Sequence, residues 1–199
     1  RPVHGRSVGA RGLGRFSSGG RQALRETQAL DAFEREILAS TGDRYTTDPV
    51  AYCFVDSTPE ELAEATAQVF LGVRMQCARC HHHPLEVWSQ DDYYGLAAFF
   101  ARVSLKGSEE FGIFGGEQVV WMNDRGEVSN PRSGKKMDPK PLDAPAVDHP
   151  LDRRIPLADW MTGKENGLFA RAVVNRYMSY LMGRGLVEPV DDMRSTNPP

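Results

Sequence analysis

The sequence predicts a mainly α fold with one small β-hairpin. Apolar residues recur at helical spacing in four stretches, hydroxyl or amide caps head three of them, and a single strand-like run carries a turn signal. At 199 residues, 40% hydrophobic and 26% charged, the chain is long enough for one domain of ordinary size or two small ones. A net charge of −3 and a pI near 6.0 give no electrostatic case for a nucleic acid or an anionic membrane surface. No apolar run approaches the roughly eighteen residues of a membrane span.

Residues 1 to 23 hold no acidic residue and no apolar period, so they read as a disordered or linker arm. From Leu24 to Ser40 the positions Leu30, Phe33, Ile37 and Leu38 recur at helical spacing, and Gly42 supplies a stop. Residues 43 to 56, with Tyr45, Pro49, Tyr52 and Cys53, show no period. Ser57-Thr58-Pro59-Glu60-Glu61 combines a hydroxyl cap, an early Pro and a Glu three residues on, opening a helix predicted to run to about Val73. Ser89 with Asp92 opens another, with Tyr93, Leu96, Ala97, Phe100 and Val103 along one side.

Residues 104 to 116 are Gly-rich and read as loop. Gln118–Met122, turned by Asn123–Gly126 into Glu127–Ser129, reads as the hairpin. Six prolines between Pro131 and Pro156 mark a linker or extended wrap. The predicted organisation is therefore a helical domain over 24–104, a connection over 105–156, and a second helical domain that starts at 157 and stops at 199 on a loop signal, as if truncated. In that last part Leu157 to Thr162 forms a short turn. Asn166 caps a helix from Leu168 to Met182 that ends at Gly183.

After the second predicted helix comes Cys77-Ala78-Arg79-Cys80-His81, followed by His82, His83 and Pro84. C-x-x-C-H is the attachment signature of haem c: two thiols three positions apart add to the two vinyl groups of one porphyrin, and the adjoining imidazole lies under the iron. On this reading Cys77 and Cys80 are thioether anchors and His81 is the proximal ligand. Arg79 and Arg74 can offer a guanidinium to the propionates. The competing reading is a zinc site built from Cys77, Cys80 and His81 or His83, with Cys53 as a further ligand. A redox dithiol shares the spacing but lacks its usual strand-helix context. An iron-sulfur cluster wants four thiolates, and the chain has three Cys. That odd count fits two thiols consumed by haem with Cys53 left over.

Candidates for a sixth iron ligand are Met122, His149, Met178 and Met182. A His/Met pair favours electron transfer, whereas an empty sixth position opens the iron to small molecules such as peroxide. His82 and His83 follow His81 too closely to reach the opposite face of the same ring, but either can serve a neighbouring haem or hydrogen-bond within the site. Asp91 and Asp92 fit a helix start better than an acid-base pair. Three functional classes remain open: an electron-transfer domain working with a redox partner protein or neighbouring haem domain, a zinc-stabilised interaction module, and a haem enzyme. Covalent haem attachment implies a periplasmic or extracellular compartment, and the chain, which begins at Arg1, shows no signal sequence of its own.

The stretches EREILASTG at 34–42, TAQVFLGVRMQCARCHHHPLEVWSQDDYYGLAAFFARV at 66–103, NPRSGKK at 130–136 and the segment from Leu157 to Pro199 resemble the large planctomycete-type secreted proteins that join a cytochrome-c-like segment to paired domains of unknown function. The resemblance implies a cytochrome-c-like helical region followed by part of a second α-rich domain. It maps Cys77, Cys80 and His81 onto a haem-type motif and His83-Pro84, Trp88 and Asp91–Gly95 onto the segment after it. It implies no known reaction. His82 and residues 1 to 25 depart from the family pattern.

Overall fold

The computed structural model of the chain describes residues 9–43, 47–54, 58–107 and 118–198. Tyr45, Ser57, residues 1 to 8 of the expected arm and residues 108 to 116 of the expected loop lie outside them. The fold is mainly helical with two small antiparallel sheets. Helices α1 (Gly9–Arg25), α2 (Leu30–Ala39), α3 (Pro59–Thr66), α4 (Gln90–Ala97), α5 (Arg154–Met161) and α6 (Gly167–Met182) surround a core that includes Leu38, Phe54, Leu71, Phe99, Leu142 and Met161.

The cap signals hold. The Thr58 hydroxyl accepts from the amide of Glu61 and the Glu61 carboxylate accepts from the amide of Thr58, closing a capping box on α3. Ser89 and Asp92 close the same box on α4. The Asn166 side chain accepts from the Leu168 amide at the head of α6, and Gly183 ends that helix in the left-handed region.

Five expectations are corrected. The arm is helical from Gly9 to Arg25: Phe16 packs against the core, and tertiary packing outweighs the poor helix propensity of the glycines. The helix expected from Leu24 to Ser40 is two, because Thr27 at φ 53° ends α1 and the chain restarts at Leu30. The α3 helix widens into a π turn over Ala67–Leu71 and stops at Gly72 (φ +67°), short of Val73. Val103 is not on α4, which gives way to a 3₁₀ turn (Ala98–Phe100) and then to strand β2 (Val103–Gly107), so the expected loop begins as a strand.

The hairpin is the fifth. Strand β3 (Gln118–Met122) pairs with β2 and with β1 (Gly42–Asp43), not with the residues after its turn. Those residues form β4 (Val128–Ser129), whose partner is β5 (Lys136–Met137). Gly126 shows why. A Cβ there would stand 2.1 Å from the Ala101 carbonyl, so the chain leaves β3 by crossing tightly over the end of the α4 segment. The Pro-rich stretch is an extended wrap: Met137 and Leu142 are buried in the same core as Leu38 and Leu157. Arg154, wholly buried at the head of α5, bonds the carbonyls of Ala39 and Ser40 and the carboxylate of Asp152.

Candidate functional site

The motif is held from below. After Gly72 the chain runs to a 3₁₀ turn, Gln76–Arg79; Ala78 within it and Met75 before it are buried, while Cys77 and the following Cys80 are exposed and unpaired. At about three residues per 3₁₀ turn, positions 77 and 80 fall on one side. Helix α4 clamps the turn from the core: the Arg79 carbonyl accepts from the Gln90 side-chain amide (2.9 Å) and from the Tyr94 hydroxyl (3.2 Å). Tyr93 stacks edge-on against Tyr94 and donates to Glu64 at 2.6 Å. Burial, reinforced by that bond to Glu64, pushes the Tyr93 phenol well above its usual range, so it stays a donor. Tyr93, Tyr94, Phe99 and Phe100 are therefore core that supports the motif.

His81 and His83 differ in their proton positions. His81 is exposed, and its Nδ1 lies 2.6 Å from the His82 carbonyl. A carbonyl only accepts, so Nδ1 carries the proton, and the neutral ring keeps its lone pair on Nε2. His83 is buried and its Nδ1 accepts from the Leu85 amide (3.2 Å), which places the proton of the neutral ring on Nε2 and leaves no lone pair for a metal. His83 is thus a turn-forming residue: its amide also donates to the Trp88 carbonyl at 2.9 Å. His82 is exposed and lines a shallow depression with Ser89, Asp91 and Arg132.

The structure does not gather the zinc set of Cys77, Cys80, His81, His83 and Cys53. Cys53 is buried with its Sγ 3.6 Å from Arg154, and burial pushes that thiol up despite the guanidinium. Among the described residues no three His, Cys, Asp or Glu side chains form a metal-holding group. The sixth-ligand candidates are also dispersed. His149 Nδ1 accepts from the amides of Leu151 and Asp152. Met178 and Met182 stand ten or more residues along α6 from Leu168, the residue of that helix beside Cys77, which at 1.5 Å per residue is about 15 Å or more away along the axis.

Arg79 keeps its guanidinium half exposed, 3.9 Å from Glu64. Arg74 instead pairs with Asp191 (2.6 Å) and Asp192 (3.7 Å). Asp91 accepts from the Asn130 amide at 2.6 Å. Burial works to raise the Asp92 carboxyl, but hydrogen bonds from Lys140 and Ser89 hold it below the usual carboxylate range. Both acids are therefore structural, as their position at a helix start implied.

Next to Cys77 lies a cavity of about 260 Å³ lined by Val73, Arg74, His83, Leu85, Trp88, Leu168, Asp192, Met193 and Arg194, among others. Met193 and Arg194 reach the site from more than a hundred positions away, where no local spacing marks them. The only sign of them was that the stretch resembling the planctomycete-type proteins runs on through Asp191-Asp192-Met193-Arg194.

Residues 21–105 match the family model PSCyt2, described as a protein of unknown function (DUF1549). Residues 153–199 match PSD1, described as a protein of unknown function (DUF1553). The chain pairs two domains of unknown function. No curated protein and no solved structure matches it. The DUF1549 match contains the whole Cys77–His83 motif. The DUF1553 match contributes Leu168, Asp192, Met193 and Arg194 to the cavity beside it. No helix among the described residues is long and apolar enough to cross a membrane.

Proposed function

We propose that the Cys77–His81 turn is the attachment point of a haem c and that the chain serves as an extracytoplasmic, cytochrome-like electron-transfer module. One observation carries the reading: two unpaired thiols stand exposed on one side of a turn anchored by the buried Ala78, followed by an imidazole whose Nδ1–H donates to a backbone carbonyl. A carbonyl partner of this kind orients a metal-ligating histidine and leaves Nε2 as the donor atom. The zinc alternative lacks that support, since His83 and Cys53 are held in other interactions.

The residues present fit a tethered porphyrin on one side only. Cys77 and Cys80 would hold it, and His81 Nε2 would meet the iron. Leu85, at 44% exposure, offers apolar surface beside Cys77. The half-exposed Arg79 guanidinium is available to a propionate. A cavity of about 260 Å³ is too small to enclose the whole ring, so its other face would be covered by a redox partner or a neighbouring haem domain. When bound, haem supplies a one-electron couple whose potential is set by axial ligation and burial. The chain's own part is to fix the turn through Ala78, Gln90 and Tyr94, hold the His81 proton on Nδ1, and keep the thiols accessible to the attachment machinery.

The test is the mass and pyridine haemochrome spectrum of protein from a host that attaches haem c. A haem-sized increment that disappears in Cys77→Ala and in Cys80→Ala is the expected result. Colourless protein with unmodified thiols from such a host refutes the reading.

A further inference from the structure

The cavity beside Cys77 has hydrogen-bonding capacity of one kind left over. Its acidic and imidazole groups are engaged: Asp192 pairs with Arg194 (3.0 Å) and Arg74 (3.7 Å), Glu86 accepts from the Ser195 amide (2.6 Å), and His83 Nδ1 accepts from Leu85. Three N–H groups on its lining residues have no partner although each atom is buried: the indole Nε1 of Trp88 and the Nε atoms of Arg74 and Arg194. Trp88 itself is 6% exposed. A buried donor without an acceptor is destabilising, so three on the lining of one cavity mark a place where a ligand brings acceptors.

The kind of ligand follows from the lining. The buried side-chain groups without a partner there are all donors, two of them on guanidinium groups, and the neighbouring walls are the apolar side chains of Val73, Trp88, Leu168 and Met193. Guanidinium and indole N–H groups together suit a planar anionic oxygen pair better than a hydroxyl, which would need an acceptor in return. About 260 Å³ lies just under the usual range for small-molecule sites and admits a short-chain guest.

We infer that the cavity between the Pro84–Trp88 turn and the Asp192–Arg194 segment is a carboxylate-binding site. The guest's carboxylate oxygens accept from Trp88, Arg74 and Arg194, and its carbon skeleton lies against Leu168 and Met193. The carboxylate can be that of a free small acid or the propionate arm of a porphyrin anchored at Cys77 and Cys80. The site itself does not depend on the haem reading, because its donors are in place in the bare chain.

The test uses the full chain produced without haem-attachment machinery, titrated with succinate and with the neutral isostere succinamide, reading the Trp88 indole N–H resonance by NMR. A saturable shift with succinate, absent with succinamide and weakened at least tenfold by Arg194→Ala, is expected. Arg194 is partly exposed, so that variant should keep the fold, and Trp88→Phe assigns the resonance. No shift, an equal shift with both compounds, or unchanged succinate affinity in Arg194→Ala overturns the site. Repeating the titration on haem-loaded protein separates the two sources. Succinate excluded by attached haem identifies the propionate as occupant, and succinate still bound identifies a free acid. Failure of haem attachment leaves the titration on the bare chain intact, so the two claims fail separately.

Discussion

Glu34 on α2 gives the sharpest stability prediction. It is 1% exposed and neither carboxylate oxygen has a hydrogen-bond partner. It lies at an apolar groove with Phe33, Val69, Phe70, Phe169 and Val173, where Arg176 is the other charged group. Burial is the main cause that pushes its carboxyl from 4.5 up to about 8, opposed by the charge of Arg35 and helped by that of Asp31. In the unfolded chain the group ionises near 4.5, so between pH 4.5 and 8 the folded state holds a proton that the unfolded state has released. Stability is therefore greatest below pH 4.5 as far as Glu34 is concerned, and falls as pH rises towards 8. A displacement from 4.5 to about 8 corresponds to about 5 kcal/mol at most, at 1.36 kcal/mol per pH unit. Replacing Glu34 by Leu removes this loss. Urea unfolding at pH 5, 7 and 8.5 should show Glu34→Leu gaining on the wild type by several kcal/mol across that interval. Two curves that run parallel with pH refute the argument, because the difference between the proteins isolates this one carboxyl.

Two further outcomes follow from packing. Arg154→Ala leaves the buried Asp152 carboxylate without its partner and the Ala39 and Ser40 carbonyls without a donor, and should cost about 3–5 kcal/mol in equilibrium unfolding. Gly72→Ala must hold an alanine at φ +67° with its Cβ 2.9 Å from Met193 Cγ; a loss of about 1–3 kcal/mol from the backbone alone is expected, read as a lowered unfolding midpoint.

What the sequence disclosed is what depends on near neighbours along the chain. The boxes at Thr58 and Ser89, the Asn166 cap and the Gly183 stop are each closed by residues within three positions, so composition and spacing suffice to find them. The thiol pair and His81 are legible as a candidate for the same reason. What escaped depends on distant partners. α1 forms although its glycines disfavour a helix, because Phe16 reaches the core. β3 ignores its nearest turn and pairs with β2 and β1 across the sheet. The different duties of His81 and His83 are invisible in the letters, since they turn on whether Nδ1 meets a carbonyl or an amide. Cys53, which the chain places only two dozen positions before Cys77, folds under Arg154, a placement that no local spacing announces.

The pairing of the two domains of unknown function has a physical basis in this fold. The DUF1553 segment does not follow the DUF1549 segment as a separate body: Arg154 supplies the donors for the carbonyls at the end of α2, and Asp191 accepts from both Gln68 and Arg74. The Met193 amide donates to Gly72, and Arg176 donates to the Val69 carbonyl at the π turn that leads to the motif. Removing residues 153–199 would therefore open the π turn, orphan the last carbonyls of α2, and leave Arg74 and Trp88 on the wall of half a cavity. Each segment satisfies polar groups the other has buried, so the site beside Cys77 is a property of the pair, and the motif cannot be understood from the segment that contains it alone.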